Sequence, residues 1–354
     1  MLLEQIQTPA LVADLDIMEQ NQRLINEVTA RSNARLRPHY KTNKCVSIAH
    51  MQIESGAKGI TCAKLGEARD LVESGIEDVL IANQITDLAK LAEVASLANC
   101  CKLTIAVDSL KNIADLQTAA AAQNATVHCL IEYEVGMGRC GVDNPEDFYT
   151  LANEINNCPN LVFEGIQAYA GHLSHEPSKQ LRVEKGAELE DKLKHLKEYL
   201  SQRGIAVNEV SGCSTADIFD HDRDTVYTEY QAGSYIFMDT AYDGLKDLGF
   251  SNSLFVVTSV ISNAGGKTIA DAGRKSISMD QGMPKFVGYE QCEVSLSEEH
   301  ATATLPGEQK PVGSTMLLIP GHCCTCINLY DYVYFIRKGK VVNKVPVSSR
   351  GKAQ

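Results

Sequence analysis

The segment GITCAKLGEARDLVESGIEDVLIANQITDLAKLAEVASLANCCKLTIAVD, residues 59–108, decides the fold. It contains short runs of apolar and β-branched residues, GITCAK, DVLIAN and KLTIAVD, which predict buried strands. The stretches between them, KLGEARDLVESG and ITDLAKLAEVASLA, repeat apolar residues with the period of a helix. Strands that alternate with helices in this way predict parallel β-α-β units.

The same alternation continues on both sides of this segment, from about residue 36 to residue 235. The candidate strands are 35–40, 59–64, 78–83, 102–108, 127–134, 163–171, 208–213 and 230–235. A long charged stretch, 179–203, has the Glu and Lys spacing of a helix with a solvated face. Eight strands that alternate with helices predict an α/β fold, a (β/α)8 barrel of the TIM type, which we assign to residues 17–243.

The pattern changes after Asp243, where strand-like runs follow one another directly. These runs are LFVVTSVIS, KTIADAG, STMLLIP and YVYFIRKGKVVNKVPV. Turn signals at Gly265-Gly266 and Lys338-Gly339 flank short extended stretches. The run TPALVADLD, residues 8–16, also predicts a strand. We therefore predict a C-terminal all-β domain that consists of residues 1–16 and 244–354.

Composition limits the classes of function. The chain has 354 residues, of which 44% are apolar and 22% charged, and its formal net charge is -12. This acidic balance excludes a basic stripe for nucleic acid or an anionic membrane, whereas loop amides and helix ends can still bind small anions. The first residues lack a basic region and a sustained apolar run, and the twelve cysteines include adjacent pairs that suit disulfides poorly. We expect a cytoplasmic protein with reduced thiols.

Barrels of this type carry their active sites at the carboxyl ends of the strands. Reactive or anion-binding residues stand at these predicted ends: Lys41, Arg139, Tyr169, His175, Ser214, Thr215, Gly233, Ser234 and Tyr235. The turns SGCST and AGSY follow the last two strands, where barrels often bind phosphate through backbone amides and hydroxyls.

Lys41 lies directly after the first strand, within RPHYKTNK. A lysine at a barrel mouth can form a Schiff base, and a phosphate site close by favours pyridoxal phosphate (PLP), which is both an aldehyde and a phosphate ester. The alternative interpretation of Lys41 is a solvated surface lysine.

A set of segments in chain order resembles the D-threonine aldolase and D-serine dehydratase family. The segments are RPHYKTNK, IEYEVGMGRCGV, GIQAYAGHLSH, EYQAGSYIFMD, TIADAGRKSISMDQGMP and IPGHCCTCINLYD. The resemblance extends from about residue 8 to residue 352. It implies a fold type III PLP enzyme with an alanine-racemase-like barrel, a carboxy-terminal β domain and a homodimeric assembly.

The resemblance also implies roles for individual residues. Lys41 would be the lysine that holds PLP. The phosphate would be bound by Gly212, Ser214, Thr215, Gly233, Ser234 and Tyr235. Arg139 and Tyr169 would contact the ring side of the cofactor or the substrate, and His175 would lie near the substrate hydroxyl. His322 and Cys324 would be ligands of a divalent metal, with zinc, manganese and magnesium as the options.

Several of these residues have alternative interpretations from the sequence alone. His322 and Cys324 could be a partly buried histidine beside a cysteine. His172 competes with His175, and His39 alternates with Lys41 along an extended run, so it too could face the cofactor. We expect strand-like alternation to direct Cys323 and Cys326 away from the metal pair, into packing contacts. Asp271 could orient a ligand, although an Asp before a small residue is typical of a turn former.

The function implied is a PLP- and metal-dependent lyase acting on β-hydroxy-D-amino acids. Retro-aldol cleavage of D-threonine-like substrates to glycine and an aldehyde is the first interpretation. Cys324 stands where the aldolases typically carry Asp, and it favours the alternative, dehydration of D-serine or D-3-hydroxyaspartate to a keto acid and ammonia. A PLP carrier without turnover is a third interpretation. An alanine racemase would leave the His322 and Cys324 pair unexplained.

Overall fold

The fold is described from a computed structural model, for residues 1–354 except 33, 175, 222–224, 246 and 308. The strands are β1 (Ala10–Asp14), β2 (Arg35–Leu36), β3 (Ile60–Cys62), β4 (Asp78–Ile81), β5 (Lys102–Val107), β6 (Val127–Glu132), β7 (Leu161–Ala168), β8 (Glu209–Gly212), β9 (Glu229–Tyr230), β10 (Leu254–Ser262), β11 (Thr268–Ala270), β12 (Lys285–Phe286), β13 (Ser295–Leu296), β14 (Ala301–Ala303), β15 (Thr315–Ile319), β16 (Tyr332–Arg337) and β17 (Lys340–Pro346). The α-helices are α1 (Leu15–Arg31), α2 (Val46–Glu54), α3 (Leu65–Glu73), α4 (Leu88–Ala98), α5 (Leu110–Ala122), α6 (Pro145–Asn157), α7 (Lys179–Ser201) and α8 (Cys323–Ile327). Within the described residues, no helix has both the length and the apolar character that crossing a bilayer requires.

The barrel unit consists of residues 26–41, 48–233 and 352–354. Its strands are parallel and follow the order β2-β9-β8-β7-β6-β5-β4-β3. A parallel bridge between His39 and Thr61 joins the two ends of this sheet, so that the strands form a closed ring. The predicted α/β barrel is confirmed, and each of the candidate strands overlaps one strand of the ring.

One glycine shows how closely the barrel strands approach each other. Gly165 in β7 pairs with Glu209 of β8 and has a φ of +153°. A Cβ atom at this position would lie 1.9 Å from the carbonyl oxygen of Glu209. Only glycine therefore allows β7 and β8 to pair here.

Buried charged side chains form ion pairs inside the barrel, at the amino ends of its strands. Arg37 Nη1 lies 2.8 Å from Asp78 Oδ1, and Arg37 Nε lies 3.0 Å from Glu229 Oε2. Lys58 Nζ also lies 3.0 Å from Glu229 Oε2. Burial raises the pKa of Glu229, but the charges of Arg37 and Lys58 outweigh it and lower that pKa to about 2. The ion pairs therefore compensate the cost of burying these groups, at the end of the barrel opposite the expected active site.

The β unit consists of residues 1–25, 42–47 and 234–351. Strand β1, predicted from TPALVADLD, pairs antiparallel with β10 and parallel with β16. Strands β16 and β17 form a hairpin, whose turn residues Lys338 and Gly339 have φ values of +50° and +73°. Its apolar core includes Val12, Val257 and Ile336. This mostly-strand carboxy-terminal part agrees with the predicted fold class, while the boundaries at residues 16 and 243 stay a prediction.

Candidate active site

The barrel unit has a cavity of about 160 Å³ at the carboxyl ends of its strands. Three residues predicted from the sequence line it together: Lys41, Arg139 and Tyr169. His39 also lines it, as its alternation with Lys41 suggested. The cavity therefore brings a primary amine, a guanidinium and an aromatic ring into one small space.

Lys41 is held by the turn that follows β2. Its backbone amide donates a hydrogen bond to His39 Nδ1, at 3.3 Å. Its Nζ atom lies 5.2 Å from the centroid of the Tyr169 ring, within the range of a cation–π interaction. Tyr169 directly follows β7, which β8 and β9 separate from β2 in the sheet, so two different parts of the barrel rim position the two side chains.

Arg139 lies in a loop whose backbone is held by the carboxylate of Glu134, a residue of the same loop. Glu134 Oε1 accepts hydrogen bonds from the amides of Gly136 and Gly138, at 2.8 and 2.7 Å. This fixes the Gly-Met-Gly turn that precedes Arg139. The Arg139 side chain is half-exposed, and its Nη2 lies 3.7 Å from Glu132 Oε1.

Glu132, at the end of β6, is a cavity residue that the sequence analysis missed. Burial is the largest cause of its shift and raises its pKa, although Gln84 and Arg139 act in the opposite direction. Gln84 Nε2 donates a hydrogen bond to Glu132 Oε2, at 2.5 Å. A buried carboxyl whose pKa is raised above its ordinary value is typical of functional sites.

Gln167 and Gln231 also line the cavity and were not predicted. Gln231 Nε2 donates to Gln167 Oε1 at 2.8 Å and to Ser211 Oγ at 2.7 Å. Both glutamines stand within predicted strands, where polar residues among apolar neighbours were the available signal. Inward-facing polar residues near the ends of barrel strands are candidates for binding.

The predicted phosphate turn after β8 is tightly built. Gly212 has no room for a side chain, since a Cβ atom would lie 2.3 Å from the carbonyl oxygen of Ala168. Ser214 directs its amide and its hydroxyl toward Asp217 Oδ1, at 2.6 and 2.7 Å. Thr215 is buried. Gly233, in the segment that follows β9, is half-buried.

Ser234 and Tyr235 belong to the β unit and begin a short 3₁₀ helix. The Tyr235 ring is fully buried, and its hydroxyl donates a hydrogen bond to Gln22 Oε1 at 2.7 Å. Within the β unit, the Tyr235 side chain therefore has a packing role.

The predicted metal pair lies in the β unit, at the start of helix α8. His322 is the N-cap residue of this helix, and Cys324 lies in its first turn. The expected strand-like alternation is therefore wrong here, because the segment is helical. Cys323 and Cys326 are nevertheless buried, since residues three positions apart share one face of a helix.

The surroundings of His322 and Cys324 suit ligands. His322 Nδ1 lies 2.7 Å from Asp280 Oδ2, and Cys324 Sγ lies 3.5 Å from Thr42 Oγ1. A hydrogen bond with Cys323 and a second with His322 hold the pKa of the Cys324 thiol well below its usual range, against the effect of burial. Burial lowers the pKa of His322, but Cys324 and Asp280 outweigh it and raise that pKa to about 9.

Asp239 is a further carboxylate near this pair that the sequence analysis did not single out. Its Oδ2 accepts a hydrogen bond from the Cys323 amide at 2.6 Å. Burial raises its pKa to about 6, although the bond from Cys323 lowers it. Asp239 ends the quoted segment EYQAGSYIFMD, so an acid at a motif boundary was the signal.

The histidine predicted near the substrate hydroxyl, His175, lies outside the described residues. Its rival His172 is exposed, and its backbone amide contacts Met137 Sδ at 3.1 Å. Asp271 accepts hydrogen bonds from the hydroxyls of Thr8 and Thr258, each at 2.6 Å. Asp271 therefore joins distant segments of the β unit, which is a structural role other than that of a turn former.

Comparison with known proteins adds family relationships to this geometry. Residues 13–241 match the alanine racemase N-terminal domain, and residues 253–336 match a putative serine dehydratase domain. A D-threonine aldolase from an Arthrobacter species is 36% identical over 99% of this chain and 94% of its own length. A 3-hydroxy-D-aspartate aldolase from Paracoccus denitrificans is 34% identical over 98% of this chain and 93% of its own length.

A solved structure agrees with these relationships. The crystal structure of D-threonine aldolase from Filomicrobium marinum superposes with a TM-score of 0.94 at 32% identity, and covers 99% of this chain and 98% of its own. Identity of this level over nearly the whole length means a shared fold and a common family. The chain therefore belongs to the fold type III family of PLP enzymes, within the group that includes the D-threonine aldolases.

Proposed function

We propose that this protein is a PLP-dependent lyase that cleaves β-hydroxy-D-amino acids, such as D-threonine, to glycine and an aldehyde. The observation that carries the proposal is the Lys41 amine inside a cavity with Arg139 and Tyr169. Family membership supports the cofactor, and the similarity to two named aldolases over nearly the full chain supports the reaction.

The residues of the barrel unit fit PLP chemically. The Lys41 amine can condense with an aldehyde, Arg139 offers a cation to an anionic ring oxygen, and the Tyr169 ring bounds the cavity. We propose that Gly212, Ser214, Thr215 and Gly233 hold the phosphate. When bound, PLP acts as an electron sink for the carbon that carries the substrate amine.

We propose that His322 and Cys324 bind a divalent cation, with zinc favoured over manganese and magnesium because of the thiolate. The donor set supports this: Asp280 bonds Nδ1 of His322, which leaves Nε2 to bind a metal, and Cys324 favours its thiolate form. A divalent cation there would supply the positive charge that acidifies a substrate hydroxyl.

The chain's own groups then move the protons. For cleavage between the α and β carbons, the β-hydroxyl must lose its proton, and we propose His175 as the base that takes it. The α-carbon then gains a proton in place of the departed aldehyde, which gives glycine. The Lys41 amine positions the cofactor and regains it when the product leaves. Arg139 and Glu132 orient the polar groups at the rim of the cavity.

Dehydration is the second candidate function. In that reaction the Lys41 amine would remove the α-proton, and the β-hydroxyl would leave instead of losing its proton. Two observations favour it: Cys324 at the metal pair and the match of residues 253–336 to a serine dehydratase domain.

Identification of products separates the candidates. The purified holoenzyme is incubated with D-threonine and with D-serine, and the products are measured by chromatography. Glycine with acetaldehyde supports the proposed aldolase, whereas a keto acid with ammonia supports the dehydratase. Turnover of neither substrate, with PLP bound, would contradict both and favour the carrier. Lys41→Ala should abolish turnover, and Lys111→Ala, at an exposed lysine of the same unit, should not.

We also propose that the protein acts on small molecules in the cytoplasm. All twelve cysteines fall among the described residues, and each is a free thiol. Free thiols suit a reducing compartment, and this supports the proposal.

A further inference from the structure

The turn at residues 212–215 contains a strained residue. Cys213 has a φ of +66°, in the left-handed region that residues with a Cβ atom rarely adopt. It is also fully buried. Such a conformation persists only when its surroundings hold it in place.

Asp217 supplies the contacts that hold this turn. Its Oδ1 atom accepts hydrogen bonds from the amide of Ser214 at 2.6 Å, from the hydroxyl of Ser214 at 2.7 Å and from the thiol of Cys213 at 3.4 Å. One carboxylate oxygen thus binds the strained residue and the residue after it. The shape of the turn depends on where Asp217 is fixed.

His221 connects Asp217 to helix α7. Its Nε2 lies 3.7 Å from Asp217 Oδ2, and its Nδ1 lies 2.6 Å from Glu190 Oε1. Burial lowers the pKa of His221, but both carboxylates outweigh it and raise that pKa to about 10. His221 is therefore a buried cation between two anions.

Glu190 anchors this chain of contacts on the long helix. Its carboxylate also accepts hydrogen bonds from the hydroxyl of Thr225 at 3.0 Å and the amide of Val226 at 3.3 Å. A residue in the middle of α7 therefore fixes both Thr225 and Val226, which precede β9, and, through His221, the turn after β8.

We propose that Glu190, His221 and Asp217 are positioning residues that keep the 212–215 turn in the shape needed to bind the phosphate of PLP. The inference rests on the proposed function, because that function supplies the phosphate that the 212–215 turn would bind. Its physical basis is preorganisation: Asp217 binds the amide and the hydroxyl of Ser214 and so fixes the backbone of the turn. Donors on a backbone that is already fixed lose little entropy when they bind an anion. None of the three residues would itself contact the cofactor.

The same cluster invites a different interpretation. The ligand atoms of Cys213, Asp217 and His221 lie within 4.8 Å of one another, as in a metal site. However, both ring nitrogens of His221 already face carboxylates, and Asp217 Oδ1 already accepts from Cys213 and Ser214. We therefore interpret this cluster as a network of hydrogen bonds and ion pairs between protein groups, without a metal ion.

The test compares PLP binding by purified apoproteins. His221→Gln removes the cation that links the two carboxylates, and we expect its dissociation constant for PLP to rise at least tenfold. Adding Cys213→Gly to that variant should recover about fivefold, because glycine adopts the left-handed conformation readily. His128→Gln is the matched control: it breaks a histidine–carboxylate contact of the same 2.6 Å length, with Glu164, and should leave PLP binding unchanged.

Each outcome either supports or contradicts the positioning role of Glu190, His221 and Asp217. If His221→Gln binds PLP like the wild type, or if Cys213→Gly gives no recovery, the inference is wrong. Stoichiometric zinc that is lost with His221→Gln would also overturn it, in favour of a metal site. If His221→Gln does not fold, the PLP affinity of Glu190→Gln is measured in its place. This variant keeps the shape of the contact between Glu190 and His221 but removes its negative charge. A wild type that binds no PLP refutes the proposed function itself, which is a distinct result.

Discussion

At the scale of single residues, Asp280 determines which nitrogen of His322 is available to a metal. A carboxylate on Nδ1 keeps a proton there, so that Nε2 is the nitrogen that a metal would bind. A hydrogen bond between a metal-binding histidine and a carboxylate commonly controls the affinity for the metal.

Asp280→Asn should therefore weaken zinc binding about 10- to 100-fold, since the amide holds the imidazole less firmly. Competition with a chromophoric chelator measures this affinity. Asp331→Asn, at an exposed aspartate of the β unit paired with Arg350, is the control and should have no effect. Equal zinc affinities for both variants would exclude His322 as a ligand oriented by Asp280.

The sequence predicts some site residues better than others. Lys41, Arg139 and Tyr169 could be predicted because each lies near the carboxyl end of a predicted barrel strand, and they do line one cavity. Glu132 was missed because its importance comes from burial beside Gln84, which no spacing reveals. The burial of Cys323 was expected, but for a reason that the helical conformation of this segment corrects.

At the scale of elements, strands β2, β3, β4 and β9 meet around the buried carboxylate of Glu229. The side chains of Arg37 and Lys58 form ion pairs with this carboxylate and lower its pKa to about 2. Removing one partner of a buried ion pair leaves the others uncompensated. The barrel should therefore depend on this anion more than on any exposed pair.

Glu229→Gln should lower the free energy of unfolding by about 3 kcal/mol at pH 7. Because the folded pKa is depressed, this contribution is present above the ordinary value of 4.5 and is lost as the pH falls toward 2. The difference between the variant and the wild type should shrink accordingly in acid. Denaturant titrations across this range measure it.

The control for this measurement is Asp115→Asn, which breaks the exposed pair with Lys111 and should cost less than about 1 kcal/mol. Equal losses for the two variants would contradict the importance of the buried pair.

The elements that the sequence predicted share a clear signal. The barrel strands are apolar runs between turn residues, so that their number and order could be read in advance. Strands β12, β13 and β14 were not predicted, because two or three residues are too few to show a period of two. The ends of β9 were also misjudged, since the chain leaves the sheet after Tyr230.

At the scale of the whole molecule, the resemblance to the aldolase and dehydratase family implies a homodimer. Light scattering coupled to size exclusion should give twice the chain mass of 38.6 kDa. The mass of a single chain at micromolar concentration would contradict this expectation. Measuring the apoprotein in the same way separates assembly from cofactor binding.

The central claim is that the amine of Lys41 carries PLP. Reducing the holoenzyme with borohydride fixes the cofactor to its lysine, and peptide mass spectrometry then locates the adduct. We predict a phosphopyridoxyl group on the peptide that contains Lys41 and none on the peptide that contains Lys111. A stoichiometric adduct at any other lysine, or no adduct at all, would contradict the account.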